Sequence, residues 1–293
     1  DRSRGLGDVY KRQDPVLAIS GQVKRADLLK RSHQSMKNVA MMEPVTKYAV
    51  EVHEPDTLSE TIANAYRVAK SGKRGASFVS IPQDVTDSLV SVKAIKPLTD
   101  PQLGSASVGD INYLAQAIRN ADLPVLLLGN GASTRAVTKS IRKLLDAVKL
   151  PVVETFQGAG IVSRELEEDT FFGRVGLFRN QPGDMLLKKA DLVIAIGYDP
   201  IEYEARNWNA EISARIIVID VAQAEIDTYF QPERELIGNI ADTIDLLLPA
   251  VNGYVLTKAS VDYLQNLKKN VVEDVKFCLL YTSPSPRDRS VSR

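Results

Sequence analysis

Three short apolar runs most constrain this chain: Leu123–Leu128 (LPVLLL), Asp191–Ile196 (DLVIAI) and Arg215–Asp220 (RIIVID). Each is too short for a core helix and too uniformly apolar for a strand with one wet face. Each therefore reads as a strand buried on both sides, the pattern of a parallel sheet covered by helices. The segments between them supply helices. Asp110–Ala121 places Ile111, Leu114, Ala115 and Ile118 on one face, and Thr134–Val148 is a basic amphipathic stretch. Pro182–Lys189 has proline in its first turn, and Ile240–Leu248 is a last short helix. With Val152–Thr155 as a further strand, residues 108–252 read as a doubly wound parallel sheet.

A second α/β region precedes it. Asp14–Ser20 is a strand closed by Gly21. Ser59–Ser71 is a helix with Ile62, Ala65, Tyr66 and Ala69 on one face, stopped by Gly72. Ser77–Ile81 is a strand ended by Pro82. Strand, helix, strand at this length predicts another parallel pair. Residues 89–107, with Pro97, Pro101 and Gly104, read as a linker between the two regions. Residues 253–277 are polar and helix-prone, a connector leaving the second domain.

The composition narrows the function classes. The 37 basic and 37 acidic side chains balance, which argues against a nucleic-acid or membrane-surface partner. No apolar run reaches the ~18 residues of a membrane span. One cysteine excludes an internal disulfide framework. The two ends stand apart. One DNA string and its reverse complement would encode both Ser3–Gln13 (SRGLGDVYKRQ) and Cys278–Arg287 (CLLYTSPSPR). Residues 1–13 and 278–293 are therefore expected to be translated library-adapter sequence around a gene fragment. They are set aside from the fold.

Several segments could carry chemistry. Gly129-Asn-Gly131 lies between a strand and a helix, where glycines let a phosphate approach backbone N–H groups. The pattern is not a full G-x-G-x-x-G, so a tight turn explains it as well. Asp220 ends a strand, where an acidic residue holds a ribose hydroxyl or closes a turn. His33 and Gln34 are adjacent, and His53 is the only other histidine. No G-x-S-x-G elbow accompanies them, and two histidines without cysteine make a poor zinc site. Arg179-Asn-Gln-Pro-Gly-Asp184 places Arg179 and Asn180 before a helix start. Tyr198–Tyr203 follows a strand end directly, the position that faces the ligand crevice of an open sheet. Trp208 reads as a core or rim aromatic.

Together, DPVLAISGQV from Asp14, KRSHQS from Lys30, EPVTKY from Glu43, FVSIPQDV from Phe78, GRVGLFRNQPGD from Gly173 and IGYDPIEY from Ile196 closely resemble catabolic acetolactate synthase. The resemblance runs from Asp14 to about Phe277. It implies a thiamine-diphosphate enzyme that condenses two pyruvates to 2-acetolactate and CO₂. On this mapping, residues 14–88 are the second half of a pyrimidine-binding α/β domain, and residues 108–252 are a complete central domain. The matching His-Gln pair would make His33 and Gln34 catalytic, lining the pocket beside the cofactor. Lys47 would lie at the substrate entrance, with Arg179 and Asn180 on the central-domain side.

The resemblance also implies thiamine diphosphate and Mg²⁺ as cofactors, a homodimer or homotetramer and a cytoplasmic location. It makes FAD an unlikely cofactor, so Gly129, Gly131 and Asp220 would be vestiges of a nucleotide site. The family's catalytic glutamate would lie before Asp14 and its Gly-Asp-Gly motif after Phe277. Gly109-Asp110 and Gly183-Asp184 do not substitute, since neither is followed by glycine. The chain on its own is therefore expected to be inactive. Two alternatives stay open: an FAD- or nucleotide-binding module of the central-domain fold, and another thiamine-diphosphate decarboxylase or carboligase.

Overall fold

A computed structural model of the protein describes residues 14–176 and 181–281, with side chains to residue 269. The described residues form two compact units divided between Gln102 and Leu103.

The first unit runs β1 (Val16–Gln22), α1 (Asn38–Met42), β2 (Tyr48–Glu51), α2 (Leu58–Lys70), β3 (Ala76–Pro82) and α3 (Gln83–Thr86). Its strands pair in the order β1-β3-β2, all parallel. The expected strand, helix and strand are β1, α2 and β3. Gly72 closes α2 at φ +55°, where a side chain would be strained. Strand β2 was not anticipated. All four of its residues are half-buried, so neither an apolar run nor an alternation marks it. The buried core here is small: Val52, Ala65, Val79 and Val85, with Leu17, Leu58 and Ile62 packed against them.

The second unit begins with α4 (Val108–Asn120), β4 (Pro124–Leu128), α5 (Arg135–Val148), β5 (Val152–Thr155), α6 (Arg164–Thr170) and β6 (Phe171–Val175). It continues with α7 (Pro182–Lys189), β7 (Leu192–Ile196), β8 (Arg215–Asp220), β9 (Arg234–Ile237), α8 (Ile240–Val251) and α9 (Lys258–Tyr281). The six strands are parallel and ordered β6-β5-β4-β7-β8-β9. The chain thus winds outward from β4 in one direction and from β7 in the other, which is the doubly wound arrangement.

The apolar runs follow from two separate cores, one on each face of this sheet. Leu126, Leu128, Ile194, Ile196, Ile217 and Ile219 join residues of α4, α5 and α8. Their strand neighbours Val125, Leu127, Val193, Ala195 and Val218 join Leu186, Leu187, Trp208, Phe230 and Leu267. Alternate residues point to opposite faces, so a strand covered on both sides must be apolar throughout. Each such side chain, fully buried, stabilises the fold by about 1.5–3 kcal/mol. Hydrogen bonds fix the helix starts: Ser107 Oγ accepts from Asp110 N at 3.1 Å, and Asn239 Oδ1 from Asp242 N at 3.2 Å.

Strands β6 and β9 were not anticipated either, and both are sheet edges. Gly173 in β6 sits at φ +109°, and β9 carries Arg234 and Glu235, the mixed character of a strand paired on one side only.

Candidate functional site

The two halves of the second sheet diverge between β4 and β7. Ligands of open α/β sheets bind outside the strand C-termini at this switch point. The loop after β4 does not lead straight into α5. Asn130–Ser133 forms a 3-10 turn, and Thr134 is extended before α5 begins at Arg135. Four successive N–H groups, those of Gly129, Asn130, Gly131 and Ala132, are satisfied within the chain. Gly129 N donates to Ile196 O at 3.1 Å, Gly131 N to Gly197 O at 2.8 Å, and Ala132 N to Gly129 O at 3.1 Å. Asn130 N donates to both carboxylate oxygens of Glu202 at 3.1 Å.

Close packing explains the glycines. A Cβ on Gly129 would lie 2.5 Å from Gly197 O, and one on Gly131 would lie 2.8 Å from Gly197 Cα. Gly197 itself has φ +55°, and its Cβ would meet Ala132 N at 2.4 Å. The loops after β4 and β7 are thus zipped backbone to backbone. Gly129 and Gly131 serve that contact.

Glu202 is the functional-looking group that the sequence reading missed. It comes from the segment after β7, is half-buried, and reaches back over the strand ends. Besides Asn130 N, its carboxylate accepts from Thr155 Oγ1 at 2.6 Å and from Asp199 N at 3.2 Å. Burial pushes its pKa above the usual carboxylate range, and the Thr155 and backbone hydrogen bonds oppose that shift. The only signal in the sequence was its place in the Tyr198–Tyr203 segment just past a strand.

The same segment is anchored below. Tyr198 donates its hydroxyl to Tyr203 O, and Tyr203 donates to Asp184 Oδ1 at 2.6 Å. The Tyr198 ring meets Phe230 edge-on at 5.4 Å and Trp208 at 6.4 Å. Trp208 is a core residue. Another carboxylate, the fully buried Glu154 of β5, accepts from Val162 N at 2.8 Å and Gly160 N at 3.3 Å. Burial raises its pKa, opposed by those N–H groups and by Arg174 at 3.6 Å. Asp220 closes its own turn: Oδ1 accepts from Val221 N at 2.6 Å, and its carbonyl accepts from Gly238 N at 2.9 Å.

In the first unit, His33 and Gln34 form an exposed turn ahead of α1. Gln34 has φ +68°, a left-handed conformation that costs a non-glycine residue about 1–2 kcal/mol. The chain following this turn is tied to the C-terminal end of β1. Gln22 Nε2 donates to Met36 O at 2.6 Å, and Asn38 Nδ2 donates to Gly21 O at 3.2 Å. The turn therefore lies by the strand C-termini, where α/β sheets hold ligands.

Lys47 has a structural task. Its ammonium donates to Val68 O at 2.8 Å and to Ser71 O and Lys73 O at 2.6 Å, closing the C-terminal end of α2. All three N–H donors are spent there, which leaves none for the anion expected at a substrate entrance. Arg179 and Asn180 lie outside the described residues. Among the described residues, no group of three His, Cys, Asp or Glu side chains could hold a metal ion. No described helix is long and apolar enough to cross a membrane.

Residues 111–247 match the family model of the thiamine pyrophosphate enzyme central domain. The matched residues lie within the larger unit, and its doubly wound parallel sheet is consistent with that family model. Over most of its length the chain is also homologous to acetolactate synthases. It is 49% identical over 241 residues to acetolactate synthase of Bacillus subtilis (strain 168), covering 82% of this chain and 42% of that protein. It is 41% identical over 266 residues to the catabolic acetolactate synthase of Raoultella terrigena, covering 90% and 47%. Identity falls to 26% over 256 residues with the probable acetolactate synthase large subunit of Methanocaldococcus jannaschii. The chain spans less than half the length of these relatives.

Proposed function

We propose that this chain is part of a catabolic-type acetolactate synthase, which condenses two pyruvates to 2-acetolactate with release of CO₂. The observation that carries the reading is the 41% identity over 266 residues with a relative named as the catabolic acetolactate synthase, beside 49% over 241 residues with an acetolactate synthase. The drop to 26% against a large-subunit relative favours the catabolic type. In this reading residues 14–88 are the second half of a pyrimidine-binding domain. Residues 108–252 are the whole central domain, and residues 253–277 lead toward a further domain. The complete protein is a cytoplasmic homodimer or homotetramer that uses thiamine diphosphate and Mg²⁺ but no FAD.

Thiamine diphosphate, when bound, supplies the electron sink for pyruvate decarboxylation. The described residues do not form its site alone. They hold no metal cluster, and the sequence has no Gly-Asp-Gly. This chain alone is therefore expected to turn over no pyruvate. His33 and Gln34 are the residues of this span that we propose meet substrate, as the resemblance implies. The exposed imidazole is available to hold a carboxylate or move a proton, and the strained Gln34 fits a turn shaped by binding. Arg179 and Asn180 are kept as entrance residues on the strength of the resemblance alone.

Substitution H33A in the complete protein tests this. The expected result is a large loss of kcat/KM for pyruvate with unchanged thermal stability. Unaltered turnover would remove His33 from the site.

A further inference from the structure

We propose that Glu202 is a built-in anion that closes the switch-point crevice of the second unit, holding the place where a nucleotide diphosphate would otherwise sit. Three donors converge on its carboxylate: Asn130 N–H from the loop after β4, Thr155 O–H from the end of β5, and Asp199 N–H from the loop after β7. A hydroxyl and two backbone N–H groups at strand C-termini form the donor set that holds phosphate oxygens. The remaining N–H groups of the glycine loop are taken by backbone carbonyls.

The turn that delivers Glu202 is itself fixed. Glu202 N donates to Asp199 O at 2.9 Å, with Pro200 between them. The carboxylate is thus set by local chain geometry as well as by its partners. A second anion at this point would meet its negative charge at close range and be repelled by it. In the wild-type domain Glu202 therefore closes these three donors to a diphosphate. The inference rests on the central-domain fold and not on the pyruvate chemistry, so either can fail without the other.

The test is calorimetric titration of ADP, and separately of inorganic pyrophosphate, into the 293-residue chain and its E202A variant. E202A removes the charge and the carboxylate on which the three donors converge. The expected result is binding at least about tenfold tighter to E202A than to wild type. Equal affinity in both proteins, or no binding to a folded E202A, overturns the proposal. Should E202A fail to fold, the same titrations are made on E202Q, which removes the charge and keeps the side-chain shape. Tighter binding of ADP or pyrophosphate to E202Q than to wild type is expected, and equal affinity or no binding to the folded variant overturns the proposal.

Discussion

Tyr203 donates its hydroxyl proton to the buried carboxylate of Asp184 across 2.6 Å. The other carboxylate oxygen accepts from Gln181 N at 3.0 Å. The two segments most distinctive in the sequence, Gln181–Asp184 and Gly197–Tyr203, are therefore one hydrogen-bonded unit. It ties the start of α7 to the loop that carries Glu202. Substitution Y203F removes one donor from a buried carboxylate and is expected to destabilise the chain by about 1.5–3 kcal/mol in urea unfolding. An unchanged midpoint would show that the bond contributes nothing to stability.

Gly197 is the position least able to take a side chain. Its φ of +55° disfavours any Cβ, and the Cβ would sit 2.4 Å from Ala132 N and 2.5 Å from Gly131 C. Neither neighbour is a flexible side-chain end. G197A is expected to cost more than about 3 kcal/mol, combining backbone strain with overpacking. G104A, where the added methyl meets nothing within 4 Å, is the control and should be near neutral. Thermal melts of the two variants side by side check the contrast.

Two groups of carboxylates give stability opposite pH trends. Glu154 and Glu202 have folded-state pKa values raised, chiefly by burial. Between the unfolded value and that raised value, the folded protein binds more protons than the unfolded chain. Stability therefore falls as pH rises through this window. Asp84, hydrogen-bonded by Arg25, and Asp110, hydrogen-bonded by Ser107 and Arg234, are lowered instead. Their contribution is present above the unfolded value and lost as pH falls through the folded one. E154Q is expected to flatten the decline on the high-pH side while leaving the acid limb in place. Melting temperatures across about pH 3 to 8 resolve the two limbs. A high-pH decline equally steep in E154Q would contradict the assignment for Glu154.

The sequence revealed the elements that are buried on both sides and hid the ones that are not. β4, β7 and β8 show as apolar runs because two cores cover them. Edge strands β6 and β9 have no such requirement and carry Arg174, Arg234 and Glu235, so they looked like loops. The glycine loop was legible as a special backbone, but its use was not. Whether Gly129 and Gly131 face a phosphate or another loop depends on Gly197, some 66 residues on, and strand pairing alone brings it there. Glu202 and Thr155 meet for the same reason, 47 positions apart. The resemblance put Lys47 at the substrate entrance, and its use of all three donors was hidden because the carbonyls that take them, of Val68, Ser71 and Lys73, lie 21 to 26 residues away.

The measurement that tests the account most directly is made on the complete protein of which this chain is proposed to be a part. It is to be purified without added flavin, supplied with thiamine diphosphate and Mg²⁺, and given pyruvate, with the product identified. The account predicts 2-acetolactate and CO₂, formed by a protein with no flavin absorbance. Acetaldehyde as the main product, or activity that appears only when FAD is bound, would contradict it.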